Sequence, residues 1–278
     1  NATKGALYSK DYRKEKNKYY RYDINSAYPS ILISKDFKIP IKRGEFRYYN
    51  PKFFITNIKN GLKRHKKELP YGIYRCIITP KNKNDKRNNY FFFNQKNYYT
   101  HFDIFRAIQL DFNIELIDEE VNALVYVDST ANTNGTLIYA YHQFQLLIKQ
   151  LYIKKVRTGN KYIKYLLNLL WGYLTTKKTN KTVSFNEPYI YQNQFIEGMN
   201  EKEAKIYTYK NPRLYRYYRM KPFITAYQRY NLSKVIETYD AKCWNTDSFG
   251  VDEKIDIDEL NEYYQSLLNI KEYNYVSN

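Results

Sequence analysis

Cysteine is almost missing from this sequence: Cys76 and Cys243 are the only two in 278 residues. A disulfide framework and a cysteine-rich zinc site are therefore excluded. Histidine is as scarce, and His65, His101 and His142 stand far apart with no ligand spacing between them. No run approaches the ~20 apolar residues of a transmembrane helix, so no membrane partner is expected. There is no internal repeat. Position 1 is Asn rather than Met, which reads as a processed product or a piece of something longer, and no secretory or transit signature survives at this end.

Acidic residues are also in deficit. Lys and Arg number 46 against 28 Asp and Glu, a formal charge of +18, and Tyr reaches 34. Lysine and arginine neutralise phosphates while tyrosine and phenylalanine offer flat faces to bases, so a polyanionic partner is expected. A plainer cause competes with it. Lys, Asn, Ile, Tyr and Phe have A/T-rich codons, and Gly and Pro stand at only 9 and 8. An AT-rich genome inflates Tyr and Lys with no function attached, and it points to a mitochondrion, a virus or a phage as the source. Composition alone does not name the function. The 43% hydrophobic content supports a core of one large or two small domains and excludes wholesale disorder.

Along the chain, residues 1–18 form a basic linker, and Tyr19 to Tyr22 is an extended run ending at Asp23. Pro29 opens a helix over Ser30–Ser34, proline being suited to a first turn. Tyr71–Ile78 alternates as a strand, and 81–89 reads as an exposed loop. The periodicity predicts a helix over Leu137–Val156, a stop at Thr158-Gly159-Asn160, and a second, antiparallel helix over Lys161–Leu174. Residues 175–223 read as strands and loops. A helix follows over Ile224–Tyr239, then a hairpin over Ala241–Val251 with its turn at Asn245-Thr246-Asp247.

Three segments carry chemistry. Tyr22-Asp23-Ile24-Asn25-Ser26-Ala27-Tyr28-Pro29-Ser30 places a carboxylate at a strand end beside a helix N-terminus, which suits an anion next to a metal. In Lys161–Gly172, residues Lys164, Asn168, Trp171 and Gly172 share one helix face, joined by Lys161, and fit phosphate plus base. Leu166, Leu167, Leu169 and Leu170 would pack on the opposite face. Trp244-Asn245-Thr246-Asp247-Ser248 sets a second carboxylate on a hairpin tip. Two carboxylates that hold hard cations meet the need of metal-assisted phosphoryl transfer. Each segment alone has a bland alternative, a turn residue or a solvated face.

Together, Asp-x-x-Ser-x-Tyr-Pro-Ser, Lys-x-x-x-Asn-x-x-aromatic-Gly and Thr-Asp-Ser resemble motifs A, B and C of family B DNA polymerases, in order and rough spacing over residues 20–250. The intervals, and Phe223-Ile224-Thr225-Ala226-Tyr227 before motif C, resemble the protein-primed branch of phages, linear plasmids and organelles. The resemblance implies an α+β fold: a palm, an antiparallel sheet with helices, plus a two-helix fingers element. A first palm segment would span 19–136, the fingers 137–174, an insertion 175–223 and a second palm segment 224–278. An exonuclease domain would be absent and a thumb absent or vestigial. The resemblance further implies that Asp23 and Asp247 are catalytic and, with the Ile24 carbonyl, hold two Mg²⁺. Asn25, Ser26, Ala27, Tyr28, Lys154, Lys161, Lys164 and Asn168 would bind nucleotide, with Tyr28 under the sugar. Trp171, Gly172, Arg213, Arg216, Arg219 and Lys221 would face nucleic acid. A terminal priming protein is an implied partner.

The sequence also departs from the family. Asn245 replaces the usual first Asp of motif C and contributes no negative charge. Trp171 replaces Tyr, Leu169 a small polar residue and Cys243 a Tyr. Thr3-Lys4-Gly5-Ala6 faintly resembles the linker to an exonuclease domain, and Lys271-Glu272-Tyr273 a primer-end Lys-x-Tyr. Two readings stand: a polymerase core acting on DNA template–primer, or a degenerate polymerase that binds DNA or RNA structurally, for instance inside an organellar ribosome or another ribonucleoprotein. A reverse transcriptase or RNA polymerase would share the palm, but Ser-x-Tyr-Pro-Ser argues against it.

Overall fold

The computed structural model describes residues 7–9, 19–24, 26–63, 69–128, 135–174, 180–184, 194–199, 203–208, 217–264 and 271–273. Strand β1 (Tyr20–Asp23) leads through Ser26 into helix α1 (Ala27–Leu32). Next come β2 (Lys38–Pro40), β3 (Glu45–Arg47), α2 (Pro51–Lys63) and the long β4 (Gly72–Thr79). β5 (Tyr98–Thr100), α3 (His101–Gln109), β6 (Asn113–Leu116) and β7 (Ala123–Val125) follow. β8 (Leu137–Tyr139) runs into α4 (Ala140–Thr158) and α5 (Lys161–Leu174). Then come β9 (Asn180–Ser184), β10 (Gln194–Met199) and β11 (Glu203–Thr208). The chain continues through α6 (Lys221–Thr238), β12 (Cys243–Asn245), β13 (Ser248–Val251), α7 (Ile257–Tyr264) and β14 (Lys271–Tyr273).

The fold is mixed α+β, and every strand pairing among the described residues is antiparallel. One sheet has the order β12-β13-β1-β14, and a second has the order β3-β7-β4-β5, with β6 on β4 as well. β4 alternates because Gly72, Tyr74, Cys76 and Ile78 point into the core while the residues between them face outward. α3 starts at a capping box in which Thr100 and Asp103 satisfy each other's backbone N–H. α4 ends at Gly159 in the left-handed conformation (φ 62°). The Asn160 carboxamide then accepts from the Tyr162 N–H at 2.8 Å and starts α5.

Two apolar cores meet along α6. Phe223 and Ile224 pack with Leu32, Phe37, Ile39, Phe144 and Leu167, whereas Leu232, Val235 and Ile236 pack with Tyr22, Tyr74, Ile104 and Phe249. A helix buried on both sides carries any polar group at a cost unless it is bonded. Buried Arg229 accordingly pairs with buried Asp103 at 2.9 Å, and Ser233 accepts from Arg106 at 2.7 Å while donating to the Tyr90 carbonyl. No helix among the described residues is long and apolar enough to cross a membrane.

Several expected boundaries shift. α1 starts at Ala27, before Pro29, because the ring tolerates any place in a first turn whose N–H groups have no partner within the helix. Leu137–Tyr139 is strand rather than helix, since it pairs with Lys38–Pro40. α6 begins three residues early, at Lys221, with Pro222 in its first turn. The 81–89 segment closes into a 3₁₀ turn, Lys86–Tyr90, capped by Asp85, whose carboxylate accepts from the Arg87 N–H. In α5, Leu167 is 1% exposed, but Leu166 and Leu169 are 52% and 66% exposed. The packed line is buried Ile163 and Leu167 with half-buried Leu170, so only half of the expected leucine face packs. Of the 1–18 linker only 7–9 is described. The Thr3–Ala6 resemblance lies outside the described residues.

Candidate active site

Asp23 is the last residue of β1, where the chain leaves the sheet. The exit turns through Ser26 in the left-handed region (φ 51°), and α1 then presents Tyr28 in its first turn. Asp247 lies in the two-residue turn between β12 and β13, after Thr246, also left-handed at φ 55°. The register sets Asp23 opposite Ser248, and the Ile24 N–H donates to the Asp247 carbonyl at 2.8 Å. Two carboxylates at opposite ends of the sequence are thereby neighbours.

A cleft of about 480 Å³ opens over them. Its sheet side is made by Asp23, Ile24, Asp247 and the turn into α1, from Ser26 to Pro29; its other side is Lys155, Lys164, Asn168 and Trp171 from the α4–α5 pair. Lys164, Asn168 and Trp171 reach the cleft together because they sit at i, i+4 and i+7 of α5. The Lys155 ammonium donates to the Ser26 hydroxyl at 3.3 Å, and the Tyr28 ring stacks on Trp171 at 4.2 Å between centroids.

Burial first, and then the Asp247 charge, push the Asp23 carboxyl up to about 6. Lys164 and Lys155 act against that rise. Burial also raises Asp247. The Tyr28 hydroxyl is held above its usual range by burial and by Asp247, with Arg229 opposing. The site thus stores acid repulsion that a cation would relieve. Its donors are hard oxygens, two carboxylates and the carbonyl-bearing strand end at Ile24, which fit Mg²⁺ better than a soft metal. Among the described residues no group of three or more His, Cys, Asp or Glu side chains is placed to hold a metal ion.

The structure therefore brings Asp23, Ile24, Ser26, Ala27, Tyr28, Lys164, Asn168, Trp171 and Asp247 into one cleft. Lys154 is exposed and does not line it; the cleft lysine of α4 is Lys155, because one residue along a helix rotates a side chain by about 100°. Lys161 is exposed and does not line the cleft. Gly172 also stands aside, and a Cβ there would meet nothing within 4 Å, so no close approach requires glycine. Arg219 stacks on Tyr218 at 4.8 Å, and neither it nor Lys221 reaches the cleft. Asn245 is exposed, outside the cleft, and accepts from the Thr246 hydroxyl at 3.2 Å. Asn25, Arg213 and Arg216 lie outside the described residues.

Sequence reasoning missed Lys155, Gln228 and Arg229. The last two carried no local signal, because polar and apolar residues mix around the whole of α6. The Gln228 amide donates to the Thr246 carbonyl, beside the cleft, at 3.2 Å. Compared with known protein families, curated proteins and solved structures, the chain has no match.

Proposed function

We propose that this chain is the palm-and-fingers core of a template-directed DNA polymerase of the protein-primed family B type, working by nucleotidyl transfer. The observation that carries the reading is the meeting of Asp23 and Asp247 at one sheet end, facing two lysines and an amide across a cleft. In this reading the sheet with β1 and the β12–β13 hairpin is the palm, and α4–α5 is the fingers. Asp23, Asp247 and the Ile24 carbonyl would hold Mg²⁺, which when bound would neutralise charge on the transferring phosphoryl group and favour ionisation of a primer hydroxyl. Lys155 and Lys164 would meet the triphosphate, Asn168 the base, and Tyr28 the sugar. The two lysines bring positive charge to where negative charge would be delivered, and the raised Asp23 pKa marks a site tuned for an ionic ligand.

Primer extension with Mg²⁺ or Mn²⁺ tests this. Template-dependent extension, abolished by Asp23→Ala and by Asp247→Ala, is expected. No extension by the full protein would sink the enzyme reading. One observation favours the second reading, a retired polymerase that binds DNA or RNA as a structural partner: Asn245, at the family's first Asp of motif C, is uncharged and outside the cleft. Nucleic-acid binding without extension, unaffected by Asp23→Ala, would select it.

A further inference from the structure

Thr246 precedes Asp247 in a conformation that a β-branched residue avoids: φ is 55°, in the left-handed region. Such a residue persists only where its surroundings over-determine it. Here two distant segments do so. Its N–H donates to the Leu7 carbonyl at 2.9 Å, and its carbonyl accepts from the Gln228 amide at 3.2 Å. Residues 7–9 are in turn laced to the outer edge of β12: Ser9 N–H donates to the Trp244 carbonyl at 2.9 Å, and Trp244 N–H donates to the Ser9 hydroxyl at 3.2 Å. Leu7 is 5% exposed and Gln228 is 4% exposed, so both are anchored in the interior. On the far side of the turn, the Asp247 carbonyl is held by Ile24 N–H.

We infer that Gln228 is a positioning residue for Asp247: together with the Leu7 carbonyl it clamps Thr246 in its strained conformation, and that conformation sets where the Asp247 carboxylate points. The inference rests on the reading of Asp247 as a cation ligand. Gln228 does not line the cleft and acts only through the turn. Without its N–H, the turn relaxes toward an ordinary basin and Asp247 swings away from Asp23. A glycine at 246 has no Cβ penalty in the left-handed region, so it keeps the turn without needing the clamp.

The test is Mn²⁺ titration of the full chain, read by the electron-paramagnetic signal of free Mn²⁺, with no turnover involved. Gln228→Met keeps side-chain length and removes the donor; Gln228→Leu serves if that variant does not fold. The variant, folded by circular dichroism, is expected to bind Mn²⁺ about 10-fold or more weakly, as losses of groups that orient metal ligands do. Adding Thr246→Gly to Gln228→Met is expected to restore affinity to within about 3-fold of the parent, because the strain the clamp opposed is gone. A folded Gln228→Met with parental affinity overturns the inference, and so does a double variant as weak as the single one. The underlying reading fails separately: it falls if the parent binds no more Mn²⁺ than Asp23→Asn combined with Asp247→Asn.

Discussion

A second cleft makes the first one informative. It is larger, about 590 Å³ against about 480 Å³, and lies among Tyr71, His101, Phe102, Phe105 and Tyr126. Both cations on its rim are already paired, Lys38 with Asp128 at 2.8 Å and Arg47 with Glu45 at 2.6 Å, and the remaining rim charge is the Asp36 carboxylate. Its histidine is sunk so deeply that burial pulls it down to about 3, leaving a neutral ring tilted against Tyr71 with 4.1 Å between centroids. The smaller cleft does the reverse. Burial raises both of its acids, Asp247 raises Asp23 further, and the lysines facing them do not cancel that rise. Size and aromatic lining therefore mark a candidate site less well than two buried acids raised side by side do.

The largest expected difference between the clefts is catalytic. Asp23→Ala or Asp247→Ala should lower primer extension by about 10³-fold or more, the scale on which removing a principal charge-stabilising group acts. His101→Phe, in the larger cleft, should leave the rate of the folded protein within about 3-fold, since its ring does not line the smaller cleft. Steady-state extension assays on the three variants decide it. Equal losses from both clefts would break the comparison.

Next in size is the buried pair that ties the two regions together. Asp103 stands two residues after His101 in α3, and Arg229 directly follows Gln228 in α6; their side chains are 7% and 6% exposed. Breaking such a pair strands a buried guanidinium. Asp103→Asn should cost about 3–5 kcal/mol in urea unfolding. Asp103 also closes the Thr100 capping box, where asparagine can still accept, so most of that loss belongs to the charge.

Much of this arrangement is legible in the chain, and the misses share a cause. The strand into Asp23, the full span of α5 and the hairpin carrying Asp247 follow from alternation, helical period and turn residues, which are local. The meeting of Asp23 with Asp247 follows only from resemblance, because no local pattern spans that distance. The resemblance points to Lys154 where Lys155 stands, because no motif pins a residue near the end of α4 and a step of one residue turns a side chain by about 100°. Leu166 and Leu169 read as core because apolar residues mark a face without naming its partner. Gln228 and Arg229 are invisible for the opposite reason. α6 has no polar side to speak of, so its buried polar residues declare themselves only once Thr246 and Asp103 are beside them.

The clefts should also differ in acid response. Asp23 is raised in the folded protein, from an ordinary 3.8 to about 6. Between those values the folded state holds the proton more tightly than the unfolded one, so stability is greatest below pH 4 for this group and falls as pH rises toward 6. Asp23 is partly open to solvent, so the nominal shift is discounted to about 1–2 kcal/mol. Asp23→Asn should then stabilise the metal-free protein at pH 7 by about that amount and make its melting temperature rise more steeply, or fall less, from pH 4 to 6. His101 is held down in the folded protein, from 6.5 to about 3, so in the same window the unfolded state holds the proton more tightly and the larger cleft adds a slope of the opposite sign, stability rising with pH. A melting curve of the Asp23→Asn variant with the same pH 4–6 slope as the parent would remove the electrostatic contrast.

The smallest effect falls on the aromatic wall each cleft owns. Tyr28 and Trp171 stack at 4.2 Å with 26° between planes, whereas His101 and Tyr71 lie 4.1 Å apart but tilted by 43°. The first stack joins the turn after Asp23 to α5 at the cleft wall; the second sits inside the core. A stack of this kind contributes about 0.5–1.5 kcal/mol beyond burial. Trp171→Ala should therefore cost little stability, yet weaken nucleotide affinity by about 3–10-fold, because Tyr28 loses the surface that fixes its ring. Trp171→Phe should retain most of the affinity. The chain has only two tryptophans, and Trp244 is 5% exposed, so a nucleotide-induced change in tryptophan fluorescence should come from Trp171 and vanish in Trp171→Phe. A signal that survives that substitution would place the ligand elsewhere, and the larger cleft would then be the first place to look.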